Sequence, residues 1–175
     1  FGVVNWRSSC GNTVLNTRDN SPREEIVMKA KKILVPTDFS HTGEAAMEMA
    51  TSLARDSGAT LLIMHAEEPP TAYGGGELYY GLPEPATDDL RKMLHKVEPT
   101  DSSVPYEHRL ITGDPAHAIV RLAKEEEVDM IVMGTHGRSG LSRMLMGSVA
   151  EAVVRRAECP VLTYKQPAKN AAAVW

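Results

Sequence analysis

The sequence predicts an α/β fold built on an open, doubly wound parallel sheet. Three observations carry that prediction. Five short apolar runs recur between residues 32 and 164, each of strand rather than helix length. The runs are continuously apolar, as expected of strands buried on both faces. Segments with helical spacing or helix caps fill the intervals, giving the order βαβαβαβαβ. Right-handed crossovers then cover both faces of one sheet.

The first run is KILVP (32–36). In SHTGEAAMEMATSLARDSG (40–58), Ala46, Met49, Ala50, Leu53 and Ala54 share a helical face, with Ser40 suited to the N-cap and Gly58 to the stop. TLLIMHA (60–66) is the second run. ATDDLRKMLHKV (86–97) reads as a helix, with Thr87 as N-cap and acidic residues in its first turn. VPYEHRLI (104–111) reads as a strand. Asp114 and Pro115 then occupy the favoured N-cap and N1 positions of a helix that buries Ile119, Leu122 and Ala123. DMIVMG (129–134), the helical SVAEAVVRRAE (148–158) and the apolar CPVLTY (159–164) complete the pattern.

The folded unit is expected over residues 28–165. Residues 1–27 show neither helical nor strand periodicity and lack the apolar stretch of a signal peptide. They are read as a disordered or artificially appended extension, and 166–175 as a flexible tail. The one long irregular insertion, 67–86, holds four prolines, four glycines and three of the five tyrosines. Its composition suits a surface loop, and its place after a strand also suits a lid or adaptor.

The composition excludes several classes. Net charge is −4, 42% of residues are hydrophobic and 24% charged. That balance suits a soluble cytoplasmic domain, with no nucleic-acid or membrane partner. Cys10 and Cys159 do not make a disulfide framework, and Cys159 reads as a small buried hydrophobe. The six histidines show no metal-ligand spacing. His65 and His95 read as structural or exposed. There is no G-x-x-x-x-G-K-[ST] loop and no G-x-G-x-x-G after the first strand. GRSG lacks the G-x-S-x-G elbow spacing, which argues against a hydrolase using Ser139 or Ser142 with His136.

Two polar loops leave strand ends, PTDFS (36–40) and GTHGRSG (134–140). Doubly wound sheets bind ligands at such ends, where the strand order reverses. Gly134, Gly137, Gly140 and Gly147 let backbone N–H groups approach an anion, and a helix start near Ser148 adds unpaired donors. Arg138, Arg143 and His136 could meet phosphate charge. An ordinary loop is equally compatible with the glycines, and Ser148 with Glu151 matches a capping box that explains the serine without a ligand.

The spacing G-2x-G-9x-G-[ST], met by Gly134, Gly137, Gly147 and Ser148, resembles the ATP-binding signature of the universal stress protein family. The resemblance runs from about Lys31 to Tyr164, with KILVPTDFS at its start and GDPAHAIV to CPVL at its end. It implies a flavodoxin-like (adenine nucleotide alpha hydrolase-like) sheet of order 3-2-1-4-5 and a homodimer through the fifth strand, Cys159 to Tyr164. It implies ATP as ligand, with Mg2+ or Mn2+. Pro36, Thr37 and Asp38 would line the adenosine end, Asp38 accepting from ribose hydroxyls or a base edge. Ala66 would offer backbone near adenine, and Met133 and Gly134 would lie along the nucleoside. His136, Gly137, Arg138, Gly147, Ser148 and Val149 would surround the phosphates. Ala150 stands where many members carry Thr, which removes one hydroxyl contact.

The resulting expectation is an ATP-binding regulatory or signalling protein of the stress response. The alternatives are a slow ATPase and a partner-binding adaptor with little turnover. Hydrolysis needs an oriented water and, as a rule, a metal-bound carboxylate. His136 is the one nearby candidate base, so catalysis is at most weak.

Overall fold

In the computed structural model, the described residues are 12–14, 23–25, 30–68, 87–135 and 146–165. Two three-residue strands, β1 (Asn12–Val14) and β2 (Arg23–Glu25), form an antiparallel pair. The main unit runs β3 (Lys32–Pro36), α1 (His41–Ser57), β4 (Thr60–Glu67), α2 (Thr87–Leu94), β5 (Tyr106–Thr112), α3 (Pro115–Glu125), β6 (Met130–Gly134), α4 (Ser148–Arg156), β7 (Val161–Tyr164). Its five strands are all parallel and lie in the order β5-β4-β3-β6-β7. This is the 3-2-1-4-5 order that the family resemblance implies.

Each central strand feeds two cores by alternation. Ile33, Val35, Leu61, Ile63, Met130 and Val132 pack with Ala46, Met47, Ala50 and Ala54 of α1 and with Leu94 of α2. Leu34, Leu62, Met64, Ile131 and Met133 point the other way, against Ile119 and Leu122 of α3 and Val153 of α4. Strands buried on both faces must be apolar at every position, which is why they read as continuous runs. Burying one such aliphatic side chain is worth about 1.5–3 kcal/mol.

Local signals set most of the helix ends. Ser40 accepts from Gly43 N at the start of α1, and Gly58 closes it at φ 74°. That left-handed value is one glycine adopts without a Cβ penalty. Asp114 accepts from His117 N, with Pro115 next in line. Two expectations shift. Thr87 stands inside α2, and α2 ends at Leu94 rather than Val97. Beyond it the chain tightens, with Lys96 N donating to Met93 O and Val97 N to Leu94 O. Pro99 follows closely, and the residue before a proline disfavours helix. The third strand of the sheet begins at Tyr106, because Pro105 has no N–H to give; its carbonyl instead accepts from Leu61 N at 2.9 Å.

The amino ends of the strands are stitched by charge. Asp129 accepts from Lys31 N and Lys32 N at 2.7 and 2.9 Å. Glu126, just after α3, pairs with Lys32 of β3 at 2.7 Å and with Arg109 of β5 at 3.4 Å. The Lys32 ammonium, with help from Arg109, holds the Glu126 carboxyl below the usual carboxylate range. Cys159 is only partly buried, packed against the α3–α4 core rather than enclosed in it as expected, and that burial pushes its thiol up. Among the described residues, no helix is long and apolar enough to cross a membrane.

The depressed Glu126 value has a defined sign. Its stabilisation is complete above the unfolded carboxylate pKa, about 4.3, and is lost as pH falls through the lower folded value. Glu126→Gln is therefore expected to lower the urea midpoint at pH 7, with the gap to the parent closing toward pH 3. A gap that stays constant over that range would refute the linkage.

Candidate functional site

The strand order reverses between β3 and β6. At that point the carboxyl ends of β4, β3 and β6 lie side by side. α1 packs on one face of the sheet and α3 and α4 on the other, and it is outside such strand ends that doubly wound folds place ligands. Pro36, Thr37, Asp38, Ala66, Met133 and Gly134 all stand at these three ends.

The turn after β3 is pinned from β4. Thr37 N donates to Met64 O, and His65 Nδ1 donates to Thr37 O, both at 2.8 Å. Asp38 Oδ1 accepts from Ser40 N at 3.1 Å and Ser40 Oγ at 2.5 Å. Thr37 Oγ1 accepts from Phe39 N at 3.1 Å. Between them Phe39 takes φ 62°, a left-handed value unfavourable for a bulky residue. Its ring lies 4.4 Å from that of His65 and packs on the α1-side core. Asp38 is thus a turn residue whose carboxylate also stands at the crevice; the two roles are compatible because a carboxylate has two oxygens and several acceptor directions.

Gly134 has a reason the sequence reading did not contain. A Cβ there would meet Thr42 Cβ and Thr42 O, both at 3.2 Å. The missing side chain makes room for the first turn of α1. Met133 turns its side chain into the α3–α4 core, 5% exposed, so along the crevice it presents backbone. Ala66 is partly buried against that same core.

The second arm of the site is the start of α4. Thr135, buried just past β6, donates its N–H to Tyr164 O at 2.9 Å and accepts from Gly147 N at 2.7 Å. That bond sets the N-terminus of α4 beside the end of β6. Gly147 is the N-cap, and no side-chain cap is made there. The expected Ser148–Glu151 capping box is therefore not formed. Because Gly147 O already accepts from Glu151 N at 2.9 Å, the helix begins one residue early and Ser148 lies within it. Glu151 instead pairs with Arg155 at 2.7 Å. Ser148 is exposed and Val149 partly buried. His136, Gly137 and Arg138, together with Ser139, Ser142 and Arg143, lie outside the described residues. So does most of the 67–86 insertion.

Sequence reasoning missed Thr42, Thr135 and His65 as parts of this site. Thr42 lies in no motif, and Thr135 is one of the unspecified positions in the G-2x-G spacing. His65 gives no signal because its partner, Thr37 O, is 28 residues away in sequence. Among the described residues, no group of three His, Cys, Asp or Glu could hold a metal ion.

The fold is that of a doubly wound α/β protein whose strand order reverses between β3 and β6. The model of the universal stress protein family matches residues 29–165, and the chain belongs to that family. It is 36% identical over 146 residues to universal stress protein MJ0531 of Methanocaldococcus jannaschii, covering 80% of this chain and 85% of that one. A solved universal stress protein in complex with cAMP superposes with TM-score 0.56 at 26% identity, over 78% of this chain and 97% of its own. A family protein from Arabidopsis thaliana with AMP bound gives 0.53 at 26%, over 80% and 94%.

The Gly134 contact is testable. Gly134→Ala is expected to cost about 1–3 kcal/mol, the usual penalty of overpacking, read as a lower urea midpoint. An unchanged midpoint would show that α1 can retreat from β6 freely.

Proposed function

We propose that this protein binds an adenine nucleotide, ATP foremost, in the β3–β6 crevice and acts as a nucleotide-dependent regulator in a stress response. The observation that carries the reading is the start of α4. Among the described residues it has no side-chain cap, it is anchored by Gly147 N to Thr135 O, and it stands beside the end of β6, next to β3 and its Pro36–Asp38 turn. Helix N-termini of this kind attract phosphate through unpaired N–H groups and the helix dipole. The cAMP and AMP complexes of family members support an adenine nucleotide as the ligand class.

In this reading Pro36, Thr37 and Asp38 flank the adenosine, with Asp38 accepting from ribose. Ala66, Met133 and Gly134 contribute backbone along the nucleoside. Gly147, Ser148 and Val149 meet the phosphates, joined by His136, Gly137 and Arg138. Mg2+ or Mn2+ would arrive with the triphosphate, since such ions take many of their ligands from phosphate oxygens and water. A second copy pairs along β7 and covers the 38%-exposed Leu162 at the sheet edge.

Calorimetry with ATP, AMP, cAMP and GTP in Mg2+ tests the ligand. Adenine nucleotides are expected to bind and GTP to bind at least about tenfold more weakly; no binding of any adenine nucleotide would sink the proposal. Gly147 sits at φ −73°, ψ 155°, which any residue adopts. Gly147→Val is therefore expected to fold, at a cost near 1 kcal/mol in capping, while losing at least about tenfold in ATP affinity. Unchanged affinity would remove Gly147 from the phosphate site. For the dimer, Leu162→Asp is expected to sediment as a monomer where the parent sediments as a dimer; identical sedimentation of the two would refute the β7 contact.

A further inference from the structure

The geometry points to His65 as the positioning residue of the nucleoside side of the crevice. This inference rests on the nucleotide reading above. His65 lies at the end of β4 with 8% exposure and on the α1 side of the sheet, the same side as Leu61 and Ile63. Among the described residues, its ring makes two contacts to the turn after β3. The ring Nδ1 donates to Thr37 O at 2.8 Å, which fixes the neutral ring as the tautomer with hydrogen on Nδ1. Its ring face lies 4.4 Å from Phe39 at a 40° tilt.

These contacts hold a turn that local preference opposes. Phe39 at φ 62° is a conformation that persists only where surrounding structure over-determines it. The His65 ring supplies a packing partner for the Phe39 side chain, and the His65 N–H fixes the peptide just ahead of it. With Thr37 N bound to Met64 O, both backbone groups of Thr37 are committed to β4. The turn that carries Pro36, Thr37 and Asp38 is thereby fixed before any ligand enters. Pre-organisation of this kind strengthens binding by removing an ordering cost. His65 does so at the nucleoside end alone, since α4 and its phosphate-facing N–H groups are held separately, through Thr135.

The test compares His65→Leu, which removes the donor, with His65→Asn, whose side-chain amide can donate from nearly the same place as Nδ1. Amide exchange at residues 37–40 is measured without ligand, and affinities for adenosine, AMP and ATP by calorimetry. In His65→Leu, exchange is expected to rise. All three affinities are expected to fall by one common factor, about five- to tenfold, the scale of one hydrogen bond. The ratio of ATP to AMP affinity stays at the parental value. His65→Asn is expected to restore protection and most of the affinity. Unchanged exchange in His65→Leu would overturn the positioning role, as would a loss that grows with phosphate number. Failure of His65→Asn to recover either readout would overturn the hydrogen-bond basis. If the parent protein binds none of the three ligands, the nucleotide reading falls, and the exchange measurement alone still decides whether His65 holds the turn.

Discussion

The geometry of the turn after β3 depends on Thr37. Its N–H and carbonyl are both bonded to the end of β4, at Met64 O and His65 Nδ1. With that peptide fixed, Asp38 can close the short turn onto Ser40, and Ser40 can cap α1. The start of α1 then lies so close to β6 that Thr42 occupies the space a side chain at Gly134 would need. A shift of Thr37 would therefore propagate to the first turn of α1 and to the end of β6. Close-packed interiors transmit such displacements because they hold few voids to absorb them.

The opposite wall is built on a different principle. α1 and α3 begin with side-chain caps, Ser40 and Asp114. α4 begins at a glycine without one. Its first residue is anchored by a backbone bond to Thr135, itself tied to β7 through Tyr164 O, and Ala150 and Val153 hold the helix in the core. One wall is thus rigid through a clasped turn, and the other presents helix N–H groups from an anchored end. In the proposed reading the clasped turn meets the nucleoside and the helix end meets the anion.

Family membership fits this division but does not by itself explain it. The glycine spacing marks Gly134 and Gly147 alike, yet the two serve different ends. Gly134 makes room for protein, namely Thr42. Gly147 has a backbone conformation open to any residue, so its lack of a side chain is not a demand of the local backbone. A spacing motif records that a side chain is absent, and only the neighbouring atoms tell what fills the space.

Much of this protein was decided locally and could be read in one dimension. Five unbroken apolar runs, the Ser40 and Asp114 caps, the Gly58 stop and Pro115 specified the elements and their order. The positions Pro36–Asp38 and Gly134 were placed correctly at strand ends by the same pattern. What the linear pattern left open are contacts between distant segments. The Ser148–Glu151 box matched a local signal, but Thr135 O drew Gly147 into the cap position and left Glu151 to Arg155. His65 looked like an ordinary strand residue until β4 was laid beside β3, bringing its ring to Thr37 and Phe39. Capping and burial periodicity depend on neighbours within a few residues, so the sequence carries them; the clasp on Thr37 and the anchor on Gly147 depend on which strand ends lie side by side, and only tertiary structure settles that.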